Sequence, residues 1–165
     1  MSYTLPEFLA HAIALENEAA ERYLELADMM EAHRNDEVSA LFRDMVRYSR
    51  LHHDSIVERA HEVPLPKLRS WQYRWSQPPE AGGDEAFDYT MSAYEALCYA
   101  RENEVRAMEY YSKVGLESTD PVVRRMAAEF ATEETEHVEA LDDWLARTPR
   151  PSAPMSADPD RSAGA

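Results

Sequence analysis

Apolar residues recur every three or four positions along four segments of the chain, at the spacing that places side chains on one face of an α-helix. The segments cover residues 9–30, 38–60, 97–114 and 123–144. Each segment has charged residues on its remaining positions, so each predicts an amphipathic helix with one face to bury. Four such helices predict an all-α fold, a four-helix bundle in which the apolar faces meet along a common axis.

Capping residues indicate the ends of the first two helices. Helix 1 is expected to begin after Thr4, with Pro6 near its first position, and to run to about residue 30. Asn35 or Asp36 is the expected N-cap of helix 2. Pro64, which cannot continue a helix, follows its last apolar positions. The polar stretch between these helices is short, so they are predicted to be antiparallel.

Similar signals delimit the other two helices. Asp84 is the expected cap of helix 3, and Gly115 its terminator. Asp120, followed by a proline, is the expected cap of helix 4, which should end near Arg147. The chain is therefore predicted to form one four-helix domain over residues 1–147, with a Pro-, Ser- and Ala-rich tail over 148–165 that has little to bury and should be disordered.

Residues 62–83 between helices 2 and 3 have no helical period and contain four prolines. So long a stretch in a compact domain needs a task. The prediction is a crossover that runs the length of the bundle, with Trp71, Tyr73 and Trp75 fixing it against the helices. The alternation of these aromatic residues also permits a short extended segment.

The composition excludes several classes of function. Among 165 residues the formal net charge is −15, so binding to nucleic acid or to an anionic membrane surface is not expected. Cys98 is the single cysteine, which excludes a disulfide framework and a cysteine-rich metal module within one chain. The sequence has no secretory signal and no apolar run long enough to span a bilayer, so a cytoplasmic protein is expected.

Carboxylates occupy core positions in two helices. Glu16 and Glu104 lie on the apolar faces of helices 1 and 3, and each is followed seven residues later by a tyrosine, Tyr23 or Tyr111. A buried charge costs several kcal/mol unless it is paired, so these acids are predicted metal ligands. The tyrosines are either core aromatics or hydrogen-bond partners near the site. Glu102 competes with Glu104 but falls off the apolar face.

The apolar face of helix 4 contains an acid and a histidine one turn apart, Glu134 and His137. A salt bridge to a buried arginine is the alternative explanation, but no arginine lies on an inward face, so metal ligation is favoured. In helix 2 the matching positions are Ser49 and His52. His52 is a weaker ligand candidate, because a core histidine is often only hydrogen-bonded. His53 lies on another face, and the remaining histidines show no ligand spacing.

Four sequence segments resemble, in order, the motifs of a rubrerythrin-type member of the ferritin-like superfamily. They are ENEAAERY in helix 1, LPKLRSWQYRW in the crossover, EVRAMEYY in helix 3 and EETEH in helix 4. The resemblance implies a carboxylate-bridged di-iron site that reacts with peroxide or oxygen, often in a homodimer. It implies Glu16, His52, Glu104, Glu134 and His137 as ligands, with Ser49, Tyr23 and Tyr111 close to them.

Two departures from the family pattern change these expectations. Where the family has a bridging helix 2 glutamate, this chain has Ser49, which leaves Glu134 as the remaining bridge and an open position for water or an oxidant. One ion or two unequal ions are then plausible, and manganese or zinc are alternatives to iron. The single cysteine excludes a rubredoxin module, so an external electron donor is expected. The rival functions are iron storage or buffering, and a metal-free helical interaction protein that lost activity through Ser49.

Overall fold

The computed structural model of the chain describes residues 2–75 and 88–152. Four long helices account for most of these residues, and a short 3₁₀ helix, Ser70–Gln72, lies in the crossover. No strand occurs in the described ranges. The prediction of an all-α, ferritin-like four-helix bundle is therefore confirmed. The helices are α1 (Leu5–Ala32), α2 (Asp36–Arg59), α3 (Ala93–Glu117) and α4 (Pro121–Arg147).

The predicted caps are correct for three helices. The Thr4 hydroxyl accepts a hydrogen bond from the Glu7 backbone N–H at the start of α1, and the Glu7 side chain accepts one in return from the Thr4 N–H. Asn35 caps α2 through the N–H of Val38. Asp120 caps α4, which ends at the predicted residue. Local hydrogen bonding of this kind depends on neighbours in sequence, so sequence alone can locate it.

Both predicted ends of helix 3 are wrong. Asp84 lies outside the described residues, and the N-cap is Ser92, which forms a capping box with Glu95. Gly115 does not end the helix, because the backbone N–H of Ser118 still bonds to the carbonyl of Val114. Gly115 instead lies where α3 passes close to the backbone of α4. Packing between the two helices thus overrides the terminating tendency of glycine.

The core is divided into two apolar clusters, one toward each end of the bundle. One cluster contains Leu26, Phe42 and Leu97 together with neighbouring side chains of all four helices. The other contains Phe8, Phe130 and further residues from the opposite halves of the helices. On every helix the predicted metal ligands fall between the parts that enter the two clusters. The apolar side chains therefore close off the acids above and below.

The crossover is fixed to α1 by a buried histidine. The backbone N–H of Arg74 donates to His11 Nε2 at 3.1 Å, and His11 Nδ1–H donates to the carbonyl of Glu7 at 2.7 Å. The rings of Tyr73 and Trp75 contact the imidazole edge-on, with centroids 5.1 and 4.8 Å away. The predicted anchoring by these two aromatics is therefore observed.

Trp71 does not anchor the crossover, because 72 % of its surface is exposed. Its ring instead lies 5.3 Å from the guanidinium of Arg69. Residues 76–83 of the predicted crossover and 153–165 of the predicted tail lie outside the described residues. Within the described ranges, no helix combines the length and apolarity that a membrane span requires.

We expect the buried His11 to make the stability of the bundle depend on pH. Burial lowers the pKa of His11 below its ordinary value of 6.5. As the pH falls, His11 is therefore protonated in the unfolded chain before it is protonated in the folded chain. The stability that His11 contributes above about pH 6.5 is lost as the pH falls toward its pKa in the folded state. A protonated ring cannot accept the Arg74 N–H, so we expect the loss to be about 1 kcal/mol.

His11→Gln removes the titrating ring, so the wild-type and variant unfolding free energies should converge as the pH falls from 7.5 to 5. Urea denaturation at each pH measures the difference. A constant gap between the two proteins would show that His11 does not titrate in this range.

Candidate metal centre

Side chains from all four helices converge between the two apolar clusters. Glu16, Glu104 and Glu134 are each at most 2 % exposed, and Ser49 is 3 % exposed. On its helix each acid continues the spacing of the buried apolar residues, so the amphipathic pattern that forms the bundle also carries the acid inside. The sequence thus predicted which acids the fold buries.

These residues form two groups that could each hold a metal ion. In each group, one nitrogen or oxygen atom from every residue lies within 4.8 Å of the others. Glu134 belongs to both groups, which is the position that a bridging carboxylate requires. The first group is Glu16, His52 and Glu134; the second is Glu104, Glu134 and His137.

The two histidines face the acids through their Nδ1 atoms. His52 Nδ1 lies 2.9 Å from Glu16 Oε1. His137 Nδ1 lies 3.2 Å from Glu134 Oε2 and 3.5 Å from Glu104 Oε2. Histidine on one helix thus meets carboxylate on another at the same level of the bundle. This arrangement of nitrogen and oxygen donors suits iron, manganese or zinc.

Several of these buried atoms make no hydrogen bond of ordinary geometry. They are Glu16 Oε1, Glu104 Oε2 and both ring nitrogens of His52. A buried polar atom without a hydrogen bond costs about 1–3 kcal/mol, more if it is charged, and requires an explanation. A cation between the donors would satisfy them together. The residues therefore fit a metal ion.

The ionisation of the metal-free site reflects its crowding. Burial and the neighbouring Glu104 raise the pKa of Glu134 well above its ordinary value, which favours the protonated carboxyl group. Burial lowers the pKa of each histidine, but the facing carboxylates outweigh it, giving a pKa of about 9 for His52 and about 11 for His137. A metal ion that binds here must displace these protons, so its affinity should rise with pH.

The tyrosines predicted near the site are both buried. The Tyr23 hydroxyl donates a hydrogen bond to Glu104 Oε1, which leaves Oε2 of that carboxylate directed toward Glu134 and His137. Such a bond orients a ligand and limits its motion. The Tyr111 ring packs against Phe130 in the neighbouring apolar cluster, with centroids 5.4 Å apart.

The other residues considered as metal ligands belong to neither group. Glu102 is exposed, in contrast to Glu104. His53 pairs with the adjacent Asp54 at 3.0 Å, and His33 and His61 are exposed.

One residue near the site was missed by the sequence reasoning. Glu133 Oε2 lies 2.9 Å from His52 Nε2, on the side of the imidazole away from Glu16. The side chain of Glu133 is 39 % exposed, so it does not continue the apolar pattern of α4. Its only signal in the sequence is its position, one residue before Glu134 and therefore about 100° around the helix.

An open groove between α2 and α4 leads to both histidines. Its volume is about 410 Å³, which is ample for a hydrated ion or a small oxidant. Two acids lie at its rim. The groove is lined by Tyr48, Leu51, His52, Ser55, Glu133, Glu136 and His137.

Comparisons with known proteins give consistent results. The family model Rubrerythrin matches residues 7–145. The chain is also similar to an uncharacterized conserved protein from Magnetospirillum magnetotacticum MS-1 of known crystal structure. The two share 61 % sequence identity with a TM-score of 0.78, over 92 % of this chain and all of that one. The chain matches no curated protein.

Proposed function

Since this chain belongs to the rubrerythrin family, we propose that it binds iron in the core of the bundle and performs redox chemistry with peroxide or oxygen. The observation that carries the proposal is the pair of ligand groups that share Glu134. When bound, the iron supplies the electrons that reduce the oxidant. Everything else in the reaction depends on how the chain holds the metal and controls access to it.

The protein residues would have distinct tasks. Glu16, His52 and Glu134 would hold one ion, and Glu104, Glu134 and His137 would hold the other. The Tyr23 hydroxyl keeps Glu104 oriented. The apolar clusters exclude water from both ends, so the α2–α4 groove is the route by which ions and oxidant arrive. His137, whose side chain is 23 % exposed at this groove, is placed to hold a proton near an arriving oxidant.

The charge of the site bears on how many ions it holds. Two divalent ions carry four positive charges, and the buried acids Glu16, Glu104 and Glu134 supply only three negative ones. Ser49 adds none. A second ion is therefore expected to bind more weakly than the first. The metal-free alternative is disfavoured, because it leaves the buried donor atoms of these residues unsatisfied.

The proposal includes two partners. One is an external reductant, since Cys98 alone cannot form the four-cysteine iron centre that would deliver electrons from within the chain. The other is a second copy of the chain. The support for a homodimer is the resemblance to the rubrerythrin family.

Metal analysis tests the proposal directly. Protein purified without chelator from iron-supplemented cells should contain between one and two iron ions per chain. Anomalous scattering should locate the iron within coordination distance of Glu134. Addition of peroxide to the reduced protein should then oxidise the iron within seconds. The control is protein stripped by chelator and reloaded with zinc, which should not react.

Two results would contradict the proposal. A chain without bound metal would favour the interaction protein. A large assembly that holds many iron ions per chain would favour storage.

A further inference from the structure

His52 lies between two carboxylates that come from different helices. Its Nδ1 faces Glu16 Oε1 of α1, and its Nε2 faces Glu133 Oε2 of α4, each at 2.9 Å. Glu16 belongs to a candidate metal group, whereas Glu133 belongs to neither group. Glu133 thus lies on the far side of the imidazole from the other donors, at the mouth of the groove.

This geometry assigns different tasks to the two nitrogens. An imidazole binds an ion at one nitrogen and carries a proton on the other. With Nδ1 directed at the metal group, the N–H would be Nε2–H, and the carboxylate that faces it at 2.9 Å is that of Glu133. A carboxylate in this position orients the ring, fixes its tautomer and makes the bound nitrogen a better donor. We propose that Glu133 is a positioning residue for the metal site, acting through His52.

The charge balance of the site indicates what the contact between Glu133 and His52 contributes. Ser49 contributes no carboxylate from α2, and the buried acids leave one positive charge of a divalent pair unbalanced. Glu133 brings a fourth carboxylate within 2.9 Å of a ligand ring. Because the His52 ring would hold the ion, Glu133 would supply part of the missing negative charge from α4 through the imidazole. This inference rests on the proposed metal binding. It accounts for metal binding at a site that lacks a glutamate on α2.

The other histidine lacks such a partner. His137 Nδ1 contacts Glu104 and Glu134. Across residues 2–75 and 88–152, no hydrogen bond or ion pair involves His137 Nε2. The support from Glu133 is therefore confined to the ion on the His52 side. The two positions should differ in their response when Glu133 is removed.

Co²⁺ titration of the metal-free protein, followed by calorimetry and by the visible absorption of the bound ion, tests the inference. Glu133→Ala should weaken one of two binding steps by about 10- to 100-fold and leave the other within about threefold of wild type. Glu136→Ala is the matched control, because Glu136 is an exposed acid of the same groove and helix. It should change neither step by more than about threefold. Glu133→Gln, which keeps a hydrogen-bond acceptor without the charge, should fall between.

Nitrogen NMR of His52 in the Zn²⁺-loaded protein gives an independent reading. Wild type should show metal on Nδ1 and a proton on Nε2, and Glu133→Ala should broaden or shift that Nε2–H signal. The inference is overturned if the ion binds Nε2, if Glu133→Ala behaves like Glu136→Ala, or if both steps weaken equally. If wild type binds one ion, the same comparison applies to that ion. A wild-type chain that binds neither Co²⁺ nor Zn²⁺ overturns the proposed function itself, and this inference with it.

Discussion

Glu134→Gln is expected to abolish the binding of both ions while leaving the bundle folded. Glu134 is the only member that the two ligand groups share, so its loss affects both positions at once. A neutral amide is a poor ligand for a hard cation and cannot bridge two of them. Metal content should fall from between one and two ions per chain to about a tenth of that or less.

The folded state should tolerate this change. The raised pKa of Glu134 favours the neutral form of this carboxyl in the metal-free protein. Glutamine has the same size and can donate to Glu104 in the same way. The melting temperature of the metal-free variant should therefore stay close to that of wild type, because a neutral amide replaces a largely neutral carboxyl of the same size.

Thermal unfolding with and without metal separates the two effects. At a free metal concentration one hundred times the dissociation constant, each ion should stabilise wild type by about 2.7 kcal/mol. In a domain of this size that raises the melting temperature by several degrees. Glu134→Gln should show no metal-dependent rise, and Glu139→Gln, an exposed change on the same helix, should behave as wild type. Retention of two ions by Glu134→Gln would remove Glu134 from its bridging role.

Most of the fold could be predicted because its determinants are local or periodic. The caps of α1, α2 and α4 depend on side chains within three residues of the helix start. The start of α3 was also encoded, in the Ser92–Glu95 capping box, but Asp84 offered a competing signal earlier in the chain. The end of α3 was not encoded in a local signal. The helix continues through Gly115, where it packs closely against the backbone of α4.

The residues of the candidate site also differ in whether the sequence could predict them. Glu16, Glu104 and Glu134 were found because a charge on an apolar face breaks a regular pattern, and burial of all three follows from that pattern. Glu133 lies off that face, and which α2 residue it meets depends on how α2 and α4 pack. His11 was dismissed as lacking ligand spacing, and its partner is the backbone of a crossover that follows no period. Contacts at the sides of helices and with irregular segments require the three-dimensional structure.

Ser49→Glu is expected to make the metal-free protein less stable and the metal-bound protein more completely loaded. Ser49 is buried on the face of α2 that bears His52, one turn before it, at the level where the other acids converge. A fourth buried carboxylate without a cation should lower the free energy of unfolding by about 3 kcal/mol. The melting temperature of the metal-free protein should fall by roughly 6–12 °C.

Metal should reverse this loss. Four carboxylates balance two divalent ions, so metal content should approach two per chain, and the oxidised iron form should gain the absorption of an oxo-bridged pair. Ser49→Gln is the matched control, because it adds nearly the same volume without a charge. If strain alone causes the destabilisation, Ser49→Gln will show it equally and metal will rescue neither variant.

Ser49→Glu also provides a second test of the role of Glu133. If Glu133 supplies charge that α2 lacks, then a carboxylate at position 49 should make Glu133 less important. Glu133→Ala should therefore weaken Co²⁺ binding by about 10- to 100-fold in the wild-type background but by less than about threefold beside Ser49→Glu. Equal effects in both backgrounds would show that the two carboxylates act independently. In that case Glu133 would orient His52 without replacing the missing charge.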